Sequence, residues 1–199
     1  MDSEFRFDGT FRSPFETTES VKTDESMTSA IHLYHKTFVA AHIMMFQIGF
    51  ILFEWGASRR KCSESAMVKH PIMLTICSLT TVVFGFGLAY GDPHILGSKY
   101  FFVWGIVADQ DNKELPFDLP ILTLCTLSVS TLAISALNER QGFGTQIAYG
   151  LIISFLVPLV TAWTFGKGYL AKLYLQDESA CLSVHFVAGI CALMGCFFI

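Results

Sequence analysis

The sequence predicts an all-α, polytopic membrane protein with five membrane-crossing helices. Two observations carry that prediction. The 199 residues are 52% hydrophobic and only 15% charged, with a mean hydropathy of +0.50, whereas a soluble domain is nearer a quarter charged. The apolar residues also gather in five runs of about 20, the length an α-helix needs to cross a bilayer. The runs lack period-two alternation, and a crossing segment must satisfy its own backbone groups, so helices are favoured over strands.

The first run is "KTFVAAHIMMFQIGFILFEWG", residues 36 to 56. The second is "PIMLTICSLTTVVFGFGLAYG", 71 to 91, with Pro71 suited to a helix start. The third, "DLPILTLCTLSVSTLAISALN", covers 118 to 138. The fourth, "TQIAYGLIISFLVPLVTAWTF", covers 145 to 165 and holds Pro158 in mid-helix, which membrane helices tolerate. The fifth is "ACLSVHFVAGICALMGCFFI", 180 to 199. Between the second and third, "YFFVWGIV" (100 to 107) is too short to span and reads as an interfacial or re-entrant piece with aromatic anchors.

Charge divides the chain in two. Residues 1 to 30 hold seven acids and three bases, and the remainder holds ten of each, so the whole net charge of −4 sits in the N-terminal segment. That segment is an acidic polar tail, distinct from a five-helix membrane domain over 31 to 199. It has no apolar core of a secretory signal and is too acidic for an Arg-rich transit peptide. Alone it is expected to be disordered, with Phe5, Phe7, Phe11 and Phe15 as anchors for docking on a neighbouring subunit. No basic stripe marks a nucleic-acid surface. Lys and Arg are split five against five between the two faces, and the density of "SRRK" (58 to 61) favours that loop being inside. The six cysteines (62, 77, 125, 181, 191 and 196) include no C-x-x-C pair and read as small buried hydrophobes.

A few polar residues interrupt the apolar runs. In the first, Gln47 and Glu54 read as structural, and Glu54, near the helix end, is expected to reach the interface or cap backbone groups. His32, His35 and His42 have no metal- or haem-ligand spacing. His42 and His185 together would otherwise suit a redox or haem-binding membrane subunit. The fifth run places small residues at fourfold spacing, Ala180, Ala188, Ala192 and Cys196, beside Gly189 and Gly195. Such patterns let membrane helices approach closely. His185, one α-helical turn before Gly189, is therefore expected to point into a packed interior.

Five segments then resemble one family in order. "FQIGFILFEWGASRRK" (46 to 61) is similar to the first helix of the ammonium transporters (Amt/Mep/Rh), with its M-Q-x-G-F-x-x-L-E-x-G pattern. "FGFGLAYGD" (84 to 92) resembles the end of their second helix, and "ISALNERQGFG" (134 to 144) their S-G-A-x-A-E-R stretch. "VPLVTAWTFGKGYLAKL" (157 to 173) is similar to P-x-x-x-x-W-x-W-G-G-G-W-L-A, and "DESACLSVHFVAG" (177 to 189) to D-F-A-G-x-x-V-V-H-x-x-G.

The resemblance implies a five-helix unit like one of the family's two inverted repeats, the N-terminal half. It places His185 at a pore histidine and Asp177 at the acid near the external recruitment site. Phe165 stands at an aromatic of the W-G-G-G stretch, followed by Gly166, Lys167 and Gly168, where a lysine would repel a cation. Aligned on Glu139-Arg140, the two pore-gating phenylalanines fall at Ile121 and Cys125. A pore between repeats would also need a second histidine from the other half.

Those departures lead to the expectation of a non-enzymatic, non-transporting structural subunit. It would be a supernumerary member of a large assembly, a mitochondrial respiratory-chain complex being the example, in the mitochondrial inner membrane. It would have other membrane subunits and lipid as partners and no cofactor beyond bound lipid. His185 would then be a relic whose loss affects stability and not transport. The alternative expectation is ammonium transport, by a dual-topology dimer or with a separate second half, in the plasma membrane.

Overall fold

The computed structural model describes residues 18–91, 100–103, 115–165, 168–173, 175–177 and 180–198. The chain divides into two compact units, residues 1–35 and 36–199. Among the described residues the elements are helical throughout: α1 (Thr18–Ala57), α2 (Ser63–Thr80), a π-helical turn (Thr81–Gly85), α3 (Phe86–Tyr90), a short 3-10 turn (Phe101–Val103), α4 (Leu115–Ser135), α5 (Phe143–Thr164), α6 (Tyr169–Lys172), a second π-helical turn (Cys181–Phe186) and α7 (Val187–Phe198). Among the described residues five stretches are long and apolar enough to cross a membrane: Ser26–Ala57, Ser63–Tyr90, Pro116–Ser135, Phe143–Thr164 and Cys181–Phe198. The all-α, five-span architecture is thus the one the sequence predicts.

The boundaries differ in two instructive places. α1 runs back to Thr18, into the segment read as tail. Extending an existing helix adds a hydrogen bond per residue without a new nucleus, so polar residues ahead of an apolar span can continue its helix. Pro71 does not start the second span but sits inside α2, which begins at Ser63. Lys69 and His70, which precede the second apolar run as read from the sequence, therefore lie within the membrane-crossing stretch. Residues 104 to 107 of the aromatic segment, and Gly166 and Lys167, lie outside the described residues.

α4 is the centre of the unit, packing against α2, α5, α7 and both π-helical turns. Its sequence suits that position. Thr126, Val129, Ser130 and Ala133 are fully buried, and small or short side chains let helices approach where no hydrophobic effect drives them together. The hydroxyls find acceptors along their own helix, Thr126 Oγ1 donating to Leu122 O at 2.8 Å and Ser128 Oγ to Leu124 O at 2.8 Å. Between helices, Cys77 Sγ lies 3.5 Å from Ser130 Oγ and 3.3 Å from Ser154 Oγ, tying α2, α4 and α5. Three apolar clusters surround α4. Val129 and Ala133 pack with Ile153, Val157, Val184, Val187 and Ala188; Leu127 and Ile134 with Met73 and Cys77; Leu122 with Phe86 and Ala89. Gly85 permits the approach of α5: a Cβ there would lie 3.0 Å from Pro158 Cγ.

α1 is held differently. From Lys36 onward polar links spaced along its length tie it to the bundle. Lys36 Nζ meets Asp118 Oδ1 at 2.9 Å. Gln47 Nε2 donates to Ser128 Oγ at 2.6 Å, and Thr131 Oγ1 to Gln47 Oε1 at 3.4 Å. Glu54 pairs with Lys69 and His70, and the exposed Arg59 with Glu139 at 3.3 Å. Cavities separate α1 from the bundle between these links.

Candidate functional site

The last span is built around an acid cap. Burial by itself would raise the Asp177 carboxyl. The amide N–H groups of Ser183 and Leu182 and the Ser183 hydroxyl outweigh that and hold it below its ordinary value. Ser183 N–H and Oγ–H each donate to Asp177 Oδ2 at 2.9 Å, and Leu182 N–H to Oδ1 at 3.2 Å. A carboxylate on these amides satisfies donors that a helix start leaves without partners and complements the helix dipole. Ala180, between cap and helix, adopts a left-handed conformation (φ 49°). The chain then enters the π-helical turn Cys181–Phe186, which carries His185.

His185 does share a face with Gly189 at fourfold spacing, but that face is not the packed one. The buried stripe is Val184, Ala188 and Gly195, with Ser183 and Val187 beside it. His185 and Gly189 are exposed, and a Cβ on Gly189 would meet nothing within 4 Å. The expectation of a histidine packed and hydrogen-bonded in the bundle is therefore corrected. Among the described residues the imidazole makes no hydrogen bond.

His185 instead lines a cavity of about 420 Å³ between α1, α4 and the last span. α1 contributes Val39, His42, Ile43 and Phe46; α4 contributes Cys125 and Ser128; Ala180 and Val184 complete the wall. His42 Nδ1 lies 2.8 Å from Phe38 O. A carbonyl only accepts, so Nδ1 carries the hydrogen and Nε2 is left for another partner. Two imidazoles and a hydroxyl in a largely apolar wall suit a small solute that both donates and accepts hydrogen bonds. No group of three or more His, Cys, Asp or Glu able to hold a metal occurs among the described residues.

The other sequence-derived positions scatter. Cys125 faces the cavity, whereas Ile121, one turn earlier on α4, is not part of its wall. Phe165 ends α5, its N–H donating to Thr161 O at 2.9 Å, with its side chain exposed. Gln47 is buried against α4. Glu54 does not reach the interface. It turns inward and is 4% exposed, because the short connection Ser58–Cys62 folds α2 back across it. Lys69 and His70 were missed as its partners, since each reads locally as a polar residue ending a loop. All six cysteines are free, and Cys181 and Cys196 are exposed rather than buried.

The profile of the Ammonium Transporter Family matches residues 36–199. A protein of Synechocystis sp. named "Putative ammonium transporter" is 30% identical over 196 residues, covering 95% of this chain and 43% of that relative. Ammonium transporter 3 of Dictyostelium discoideum is 28% identical over 192 residues, with 92% and 43% covered. A solved structure titled "Sensor Amt Protein" superposes with a TM-score of 0.77 at 24% identity, over 83% of this chain and 43% of that one, a likeness of fold. The chain belongs to the Ammonium Transporter Family. It spans less than half the length of the relatives it matches.

These findings overturn the expectation of a non-transporting accessory subunit of a mitochondrial respiratory-chain complex. The relatives carry transporter names and none points to a respiratory chain. That expectation weighed the missing gate and second histidine above what the chain retains. The relic it required, a histidine packed away in the bundle, is instead an imidazole open to a cavity.

Proposed function

We propose that this chain forms one wall of an ammonium-conducting path, with His185 lining it. The observation that carries the reading is the unpartnered His185 imidazole on a cavity of about 420 Å³, in a chain whose 36–199 segment matches the family. Ammonia is small and both donates and accepts hydrogen bonds, which fits imidazole nitrogens set in an apolar wall. The facing wall would come from a second five-helix unit: a second copy in opposite orientation, a separate half, or further length such as the relatives possess. Asp177, fixed on the helix start by its amides, positions the turn that presents His185. The chain conducts rather than transforms its solute, and the plasma membrane is the proposed setting.

The test is uptake of ammonium or methylammonium by liposomes holding the purified chain with whatever membrane subunits co-purify. Uptake above that of empty liposomes is expected, and its loss in His185→Ala with the fold retained by circular dichroism. Uptake equal to empty liposomes, or undiminished in His185→Ala, would refute the reading.

A further inference from the structure

The chain buries an ionisable cluster far along α1 from the His185 cavity. Glu54 of α1 faces Lys69 and His70 of α2, with side chains 3 to 5% exposed. Lys69 Nζ donates to Glu54 Oε1. His70 Nε2 lies 3.2 Å from Glu54 Oε2, and among the described residues neither atom has another hydrogen-bond partner. On the far side of the ring, His70 Nδ1 lies 3.0 Å from Ala66 O.

These contacts fix where hydrogens must be. A carbonyl cannot donate, so Nδ1 bears the hydrogen in its contact with Ala66. A neutral imidazole of that tautomer has a bare lone pair on Nε2. An ionised Glu54 would then set a second lone pair opposite it, both buried away from water, which is costly for polar groups left unsatisfied. One additional proton between the two atoms removes the conflict, whether it rests on nitrogen or oxygen.

We propose that Glu54 and His70 form a proton-binding site, held in register by Lys69 and separate from the His185 cavity. Its ligand is the proton. The route for exchange is a cavity of about 290 Å³ that Glu54 lines together with Ser58, Asn138, Glu139 and Arg140. Among the described residues the charged groups around the site are few. Lys69 shares α2, Glu139 and Arg140 approach from the segment after α4, and the exposed Arg59 is paired with Glu139. α5 carries no charged residue, and the charge on α4, Asp118, is paired with Lys36. From α1, Phe50 sets its ring 6.1 Å from that of His70. Because Glu54 is one of the polar links that hold α1, occupancy of the site makes the docking of α1 on α2 respond to proton activity at this end of the bundle. An ionisable group inside a membrane calls for such a role before a packing one. The inference goes beyond conduction and does not require it.

The experiment uses the full chain in lipid nanodiscs, with nitrogen-15 histidine spectra and carboxyl infrared spectra recorded across pH. Near neutral pH, His70 should be either doubly protonated beside an ionised Glu54, or neutral beside a protonated Glu54 that gives a carboxylic-acid band. Raising the pH should remove that proton in a single step seen by both probes. In Glu54→Gln the amide N–H can donate to Nε2 permanently while its carbonyl still accepts from Lys69. The step should vanish there, with His70 locked neutral. In His70→Asn the carboxyl band should lose its pH step. A neutral Nδ1–H imidazole beside an ionised Glu54 at neutral pH would overturn the proposal. So would a neutral imidazole with its hydrogen on Nε2, or a step unchanged in either variant.

Discussion

Gln47→Leu tests whether α1 is held by polar links rather than by packing. Gln47 is 4% exposed and joins α4 through Ser128 at 2.6 Å and Thr131 at 3.4 Å. Leucine is close to glutamine in volume, so little cavity follows. Nor does it strand a donor, because Ser128 Oγ keeps Leu124 O at 2.8 Å and Thr131 Oγ1 keeps Ser128 O at 3.1 Å. The cost should therefore be that of the interhelical bonds alone. Such bonds are worth about 0.6 kcal/mol each on average and about 1.7 kcal/mol at most. With one short and one marginal bond, Gln47→Leu should cost about 1 kcal/mol, roughly a fivefold change in an equilibrium constant. The assay is reversible unfolding in mixed micelles for Gln47→Leu, Ser128→Ala and the double variant, closed as a cycle. The coupling energy should be about 0.6 to 1.7 kcal/mol. Coupling indistinguishable from zero would show that α1 docks by lipid-excluded packing. A loss above about 3 kcal/mol, beyond what such bonds supply, would show that Gln47 orders more of the bundle than these contacts describe.

Three further outcomes are expected. Gly195→Ala would place a Cβ 2.6 Å from Leu137 Cδ1 and 3.3 Å from the Tyr149 hydroxyl; with Leu137 1% exposed, overpacking should cost about 1–3 kcal/mol, read as a lowered Tm with secondary structure intact. Asp177→Ala should cost about 1 kcal/mol, as loss of a helix-start acceptor usually does, seen in the same unfolding assay. The sign of the Asp177 pH effect follows from its carboxyl lying below the ordinary value in the folded chain. Its contribution is full above the unfolded-state value, about 3.9, and is lost as pH falls through the lower folded-state value. The stability gap between the parent and Asp177→Ala should therefore narrow only in strong acid; a gap that widens on acidification would contradict the cap.

Hydropathy alone located the spans, because twenty apolar residues in a row leave few options in a bilayer. The limits of the second span were harder to see. Lys69 and His70 look like a loop on any local scale, and only the fold brings Glu54 across to face both. A charged residue 15 positions after an acid, across a hairpin of two apolar helices, is the signal that was available. Gln47 was legible as structural, since a lone amide inside an apolar run needs a partner; which helix supplied it was not.

His185 shows most clearly where sequence reasoning reached its limit. The small-residue spacing around it was real, and Ala188 and Gly195 do pack. The error lay in which face packs. Val184 and Ala188 hold the packed stripe, while His185 and Gly189, one position on, face outward together, His185 onto an open cavity. A buried histidine without a pore argues for a relic, whereas an exposed one without a hydrogen bond inside its own unit argues for a face completed by something else. The same residue thus supports opposite functions according to a rotation of a fraction of a turn.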